Sequence, residues 1–584
     1  METSNIRNVN PGRRILLVGL IVTTIAYSGG LTGQFVFDDP PQIVENKAVH
    51  SWEYVPKYFT SDVWPKTDSS AVGVYYRPVF QLWLLINYKI GGLNTTSWHL
   101  SGLLLHLLVT LLVFELIRTI LKDELAAGIT AFLFGLHPVH VESVTWISGV
   151  TDPLMAIPLV ASLICFVSSG KKSNRVVWLL ASWILYAVAI FSKETAIVLP
   201  ALVFLYRWFW SRSEDSNARV SISQRFLSSL IDALPYILIT LAYLVARYAA
   251  LKSLSHSMTP LPLSTLVYTW PSVLLFYVRL MLWPFGLSVF YDTPYVTSPN
   301  LDFVFPLIVL VIIVVAVYLC TKANRAAQFF ALWIILPILP LLNLTVFSEG
   351  ELAHDRYMYL PSIGLCVLVA MVIRQINVGS PMFGLSLGQA LSLVALGLLF
   401  GLVTFRQTGF WSSELTLAAR GVEIAPNNTI ANNNLGKELA LKGDYQQAVP
   451  LFLKVLKRRP NYWLTNFNLG FVYYRLGDLP QAELYLRRAI AIFPNDPPEH
   501  RYLGFTLLEM KRNSEAETEL RAAIASQPNA PDQHFALGVI LEEKGTLAEA
   551  LTAYKKEREI NPKRPEVNDR IAALESRLSR SSSQ

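Results

Sequence analysis

Residues 435–460 read LGKELALKGDYQQAVPLFLKVLKRRP and residues 469–494 read LGFVYYRLGDLPQAELYLRRAIAIFP; superposed, they share an opening Leu-Gly, a central Ala and a closing Pro. The register continues through Gly436, Gly470, Gly504 and Gly538, through Ala448, Ala482, Ala516 and Ala550, and through Pro426, Pro460, Pro494, Pro528 and Pro562, with a spacing of 34 residues each time. Three residue types do not keep one period by chance. Gly and Ala let two antiparallel helices approach closely and Pro closes the second, so this part of the chain is an α-solenoid of helix pairs. Four full repeats occupy 429–562, and 563–584 holds a capping helix and tail, with Ile571, Leu574 and Leu578 on one face.

A period of 34 with these residues is the tetratricopeptide pattern. Upstream of it the chemistry is different. Over all 584 residues 53% are hydrophobic and only 16% charged, and the mean hydropathy is +0.40, far more apolar than a soluble chain with its usual charged share of about 25%. Runs long enough to cross a bilayer lie near 15–33, 99–120, 125–141, 153–169, 176–191, 195–210, 230–249, 303–320, 326–346, 358–374 and 386–404. The fold class is therefore all-α: a polytopic membrane domain of about eleven spans over 1–405, a connector and degenerate half-repeat over 406–428, then the solenoid. The first run is read as an uncleaved anchor, and the stretch 262–290, with Pro271, Arg279 and Pro284, as an interfacial or re-entrant helix. The net charge of +7 is scattered, with no basic stripe, so nucleic acid is not an expected partner. Cys165, Cys320 and Cys366 all lie in apolar runs, which argues against disulfide, zinc or redox chemistry.

Orientation follows from the short loops. With a cytoplasmic amino end, the inside connections carry Arg13, Arg14, Arg118, Lys122, Arg175, Arg207, Arg325 and Arg374, whereas the short outside hairpins carry only Lys193 and Arg356. This asymmetry puts the repeats outside the cytoplasm, in a bacterial cytoplasmic membrane or that of the endoplasmic reticulum. The triplets at Asn94, Asn343 and Asn427 fit the glycosylation pattern without deciding between the two.

The polar residues of the membrane part gather on that outer face. The first outside loop, 34–98, opens with FVFDDPPQI, placing Asp38 and Asp39 a few residues past the first span, and continues to YYRPV with Arg77. The next hairpin holds His137, His140, Glu142 and Asp152; another holds Lys193 and Glu194; SEGELAHDRYMYLPSIG holds Glu349, Glu351, Arg356 and Tyr357. Each cluster taken singly reads equally as a solvated turn. Collected on one face they supply carboxylates for a sugar hydroxyl and cations for a phosphate. His137 and His140 with Glu142 lack the spacing of zinc hydrolases, and no metal is expected.

In this order, Asp38-Asp39, Tyr76-Arg77-Pro78, His99 and His106, His137 to Glu142, Lys193-Glu194, Arg356 to Gly364, then the repeats, the chain resembles the transmembrane and tetratricopeptide repeat-containing family of O-mannosyltransferase-like proteins. The resemblance covers nearly the whole chain, although the array is short at four repeats. It implies a GT-C-fold glycosyltransferase that uses a polyprenyl- or dolichyl-phosphate sugar outside the cytoplasm, with an acidic first-loop residue as base. The expected reaction is inverting transfer of a mannose-like sugar. Asp38 or Asp39 deprotonates an acceptor hydroxyl, such as that of a protein Ser or Thr. Lys193 and Arg356 neutralise the phosphate, His137 and His140 donate to it, Glu142 orients a histidine, and Arg77, Glu194 and Tyr357 complete the donor site. No cofactor is called for, because the leaving group is a monophosphate and cations are at hand.

Two other classes fit parts of the sequence. A membrane-anchored scaffold would use the repeats alone, and a lipid-sugar transporter would need charges at mid-membrane depth instead of at one face. Asn432, Asn466, His500 and His534 recur at equivalent positions of the inner helices and are the candidate contacts for a polypeptide acceptor or partner.

Overall fold

The computed structural model describes residues 10–64, 75–170, 173–210, 221–254, 261–347, 350–380, 384–494 and 497–581. Its regular elements are helices, grouped in two compact units, 1–420 and 421–584. The division falls inside the connector read from the sequence.

In the first unit, eight helices among the described residues are long and apolar enough to cross a membrane. A ninth is the pair Glu124–Leu136 and Pro138–Thr145, bent by 53° where Pro138 interrupts the backbone ladder. The expected spans at 15–33, 195–210 and 358–374 fall on the shorter helices Pro11–Tyr27, Leu199–Trp210 and Pro361–Gln375. A helix of 12 residues, such as Leu199–Trp210, rises about 18 Å, short of a hydrocarbon core of about 30 Å. The 3-10 turn Glu194–Val198 precedes this helix and carries a candidate site residue. The chain is a multi-pass membrane protein.

Packing inside this unit relies on small residues where helices cross. Pro11–Tyr27 lies so close to Glu124–Leu136 that a Cβ on Gly128 would stand 2.3 Å from the Gly12 carbonyl oxygen. The same crossing is pinned at one end by Arg13 and Glu124, 3.1 Å apart, and beside it Arg374 meets Asp123 at 3.1 Å. This end carries the basic loops. The helix Leu301–Thr321 is almost wholly outward-facing, with 6% of its apolar window buried, as befits a lipid-facing span.

Leu263–Leu282 is long enough to cross, yet its contacts run along the opposite end of the bundle. Trp270 Nε1 donates to the Leu342 carbonyl at 2.8 Å, Ser272 to that of Asp302 at 2.5 Å and Tyr277 to that of Leu352 at 3.2 Å, and His137 donates to the Met281 carbonyl at 3.1 Å. Both halves of this helix thus meet hairpins and helix ends of the same end of the bundle.

The second unit is a run of helix pairs: Thr429–Leu441 with Tyr445–Arg458, Trp463–Leu476 with Leu479–Ile492, Pro497–Glu509 with Asn513–Ser526, and Gln533–Glu543 with Leu547–Ile560. Gly470 shows why the glycine recurs, since a Cβ there would lie 2.7 Å from Leu486 of the paired helix. Pro565–Ser581 closes the array with Val567, Ile571 and Leu574 buried against the last pair.

Candidate active site

The first loop leaves its span through a tight turn. Phe37 has φ of +60°, a left-handed conformation that a bulky side chain seldom takes. Its N–H donates to Glu414 Oε1 at 2.5 Å, and its ring meets Trp146 and Phe290 edge-on at 5.5 and 5.7 Å. The two aspartates that follow have different surroundings. Asp39 is fully buried and takes three hydrogen bonds, from the Val36 N–H at 3.0 Å and from the Ser148 N–H and hydroxyl at 2.8 and 2.6 Å. The Asp38 carboxylate has no hydrogen-bond partner among the described residues and lines a cavity. Desolvation pushes it up to about 7, with Arg356 opposing and Glu351 and Glu414 adding to the rise.

The cavity, of about 300 Å³, brings Asp38 together with Arg77, Lys193, Glu194, Arg356 and Tyr357, all read from the sequence, and with Ser148 and Arg247. Apolar side chains line it as well, among them Leu244, Leu254, Leu341, Val346 and Phe347. Each of the three sequence-read cations is held by a carboxylate from a different hairpin. Arg77 meets Glu194 through two hydrogen bonds, at 2.9 and 2.5 Å. Lys193 donates to Asp152 at 2.6 Å with both side chains about 5% exposed or less, and Ser143 donates to the same carboxylate at 3.3 Å. Arg356 gives Glu142 its guanidinium at 2.7 Å and its own backbone N–H at 3.0 Å. The effects on titration follow. Burial alone would raise Glu194, but the Arg77 guanidinium holds it down at about 2. Burial lowers Lys193, against Asp152.

Aromatic faces complete the cation sites: Arg356 lies 5.1 Å from the Trp146 ring and 5.2 Å from that of Tyr357, and Arg77 4.2 Å from Tyr75.

The histidines depart from expectation. The bend at Pro138 turns His137 and His140 into the helix bundle and away from the cavity. His137 Nε2–H donates to the Met281 carbonyl. His140 Nε2–H donates to the Ser362 hydroxyl at 2.7 Å, its ring packed 4.5 Å from Phe134 and 4.7 Å from Tyr359. They are packing groups, and Glu142 orients Arg356 in place of a histidine. Among the described residues, no three His, Cys, Asp or Glu side chains converge as a metal site.

The repeat residues also take a different role. Asn432, Asn466, His500 and His534 donate to the carbonyls of Pro426, Pro460, Pro494 and Pro528 at 2.8, 3.0, 3.0 and 2.8 Å. Six residues after each repeat-closing proline, they staple the turn. The inner helices instead present aromatic groups at other positions, Phe471 and Tyr502 with ring centroids 4.9 Å apart and Phe467, Tyr474 and Phe505 around them.

Sequence reasoning missed Ser148 and Glu414, neither of which belongs to a motif; Arg247 stood out only as a charge near an outer helix end. Asp152 was seen, but its pairing with Lys193 was not. Glu349 lies outside the described residues.

The family described as dolichyl-phosphate-mannose-protein mannosyltransferase matches residues 76–218, and tetratricopeptide repeat matches 433–497 and 503–565. The first match contains Arg77, Glu142, Asp152, Lys193 and Glu194; Asp38 and Arg356 lie outside it. Protein O-mannosyl-transferase F38B6.6 of Caenorhabditis elegans is 27% identical over 76% of this chain and 63% of its own. Human protein O-mannosyl-transferases TMTC3 and TMTC1 are each 26% identical over 76% of this chain, and over 51% and 55% of their own. The chain is similar to these protein O-mannosyl-transferases over about three quarters of its own length. The resemblance read from its motifs holds, and the chain spans less than two thirds of the length of these relatives.

Proposed function

We propose that this chain is a membrane glycosyltransferase that moves mannose from a polyprenyl- or dolichyl-phosphate donor to an acceptor hydroxyl, on a protein Ser or Thr, at the extracytoplasmic or lumenal face. The observation that carries this reading is one cavity in which an open carboxylate, Asp38, faces Arg77, Lys193 and Arg356 beside apolar side chains. A lipid-linked sugar phosphate has those three parts: a hydroxyl-bearing sugar, an anion and an apolar isoprenoid tail.

In the proposed reaction Asp38 takes the acceptor proton while the acceptor oxygen bonds to the anomeric carbon. The bond from that carbon to the phosphate oxygen breaks on the opposite side, and the configuration inverts. The lipid phosphate leaves as an anion whose added charge meets Arg356 and Lys193, held in place beforehand by Glu142 and Asp152. The reaction needs no protein nucleophile, metal or cofactor. A raised carboxyl suits a base that must accept a proton near neutral pH.

For the repeats we propose that the aromatic inner face around Phe471 and Tyr502 holds the polypeptide acceptor or a partner. The orientation that serves this scheme is a cytoplasmic amino end with eleven spans, about as counted from the sequence. The test is direct: purified full-length protein in lipid nanodiscs, dolichyl phosphate mannose and a secreted-protein fraction, with intact-mass analysis of the products. Hexose additions of 162 Da on proteins, about the mass of one transferred residue, support the reading, and none with any Ser/Thr-rich acceptor counts against it.

A further inference from the structure

We propose that Glu414 is a positioning residue for Asp38: from just beyond the helix Leu387–Gly409 it holds the turn that aims the Asp38 carboxylate into the cavity. This rests on the reading of Asp38 as the base.

The turn is not held by its own Val36–Asp39 bonds alone. Phe37 is a bulky residue at φ of +60°, a conformation that persists only where its surroundings over-determine it. Those surroundings come from far along the chain. Glu414 Oε1 accepts the Phe37 N–H at 2.5 Å across 377 residues, the Gln34 N–H donates to the Ser412 carbonyl at 3.0 Å, and Trp411 stacks on Trp146 at 5.9 Å. Trp146 in turn meets the Phe37 ring. The segment Trp411–Glu414 thus grips the first loop just before the turn, at Gln34, and at the turn itself, at Phe37. Release of the Phe37 amide would let it relax to negative φ, and Asp38, the next residue, would swing with it. Asp39 closes the same turn from within, its carboxylate accepting the Val36 N–H and its own N–H donating to the Val36 carbonyl, both at 3.0 Å, and Glu414 fixes the Phe37 amide that these bonds leave unheld.

Glu414 also acts through its charge. The groups that bear on Asp38 are Arg356, which favours its ionised form, and Glu351 and Glu414, which disfavour it. Positioning and charge separate in two variants. Glu414→Gln keeps an acceptor oxygen for the Phe37 amide and removes the negative charge. Glu414→Ala removes both.

The experiment follows release of dolichyl phosphate from dolichyl phosphate mannose by full-length protein across pH, with Asp38→Asn in parallel. Glu414→Gln should turn over near the parent rate, with the acid limb of its pH profile moved to lower pH. Glu414→Ala should lose about 10- to 100-fold in kcat with KM for the donor unchanged, the cost of a misplaced catalytic group. Parent rates in Glu414→Ala, with Asp38→Asn inactive, would overturn the positioning role alone. Should Glu414→Ala fail to fold, Glu414→Met, which keeps the length of the side chain and removes the acceptor, takes its place, and parent rates in it overturn the positioning role; an unshifted acid limb in Glu414→Gln overturns the charge effect. Parent rates in Asp38→Asn would instead remove the base assignment on which it rests.

Discussion

Ser148 donates both its backbone N–H and its hydroxyl to one oxygen of Asp39, at 2.8 and 2.6 Å, joining two hairpins 109 residues apart. The other Asp39 oxygen is taken by Val36. Of two adjacent carboxylates, one is thus consumed in holding the loop and its neighbour is left open to the cavity.

Ser148→Ala removes one hydrogen bond to a buried carboxylate and should lower stability by about 1–3 kcal/mol. Thermal unfolding in detergent, followed through a buried tryptophan, reads this loss. Asp39→Ala leaves three donors without an acceptor and should cost more than Ser148→Ala; equal stability of the two would contradict the clamp.

The Arg356 guanidinium should bear directly on the donor phosphate. Arg356→Gln should weaken binding of dolichyl phosphate by about 10- to 100-fold, the worth of one charge-assisted hydrogen bond. Glu142→Leu acts differently, stranding a buried guanidinium, and should cost about 3–5 kcal/mol of stability. A lipid-binding assay on both variants separates contact from support.

Transfer should rise as pH increases through about 7, because Asp38 must be ionised to take a proton and burial raises its carboxyl to about 7. The sign for stability runs the other way. The unfolded chain releases this proton near its ordinary value of 3.8 while the folded chain keeps it to about 7, so this group's contribution falls as pH rises across that window. Asp38→Asn should therefore be more stable than the parent at pH 8, and thermal unfolding at pH 5 and pH 8 checks it.

His140→Phe should leave donor binding unchanged, since the His140 ring packs among Phe134, Tyr359 and Ser362 and is absent from the cavity lining. In the repeats, Asn466→Ala removes donations to the Pro460 and Tyr462 carbonyls and should cost about 1–2 kcal/mol of solenoid stability. A loss of partner binding with unaltered unfolding would restore it as a contact residue.

How much of this was legible in the sequence depends on range. The repeats were legible because a 34-residue period is written directly in Gly, Ala and Pro. The cavity's cations were legible because polar groups at the ends of apolar helices stand out by composition. Their partners were not: Arg77 with Glu194 and Arg356 with Glu142 are 117 and 214 residues apart, and only the packed bundle pairs them. His137 and His140 were misplaced because proximity to Glu142 along the chain says nothing of which way the rings point once Pro138 bends the helix. The repeat asparagines and histidines were misplaced because equivalent positions recur for structural staples as readily as for a binding face. Asp38 and Asp39 share one turn, and only the three bonds to Asp39 tell them apart.

The measurement closest to the central claim is sugar release from dolichyl phosphate mannose by the parent and by Asp38→Asn, which keeps size and hydrogen-bonding capacity and removes basicity. Transfer by the variant should be slower by about 100- to 10,000-fold, the usual contribution of a positioned base, with dolichyl phosphate binding retained. Transfer at the parent rate would contradict the assignment of Asp38 as the base.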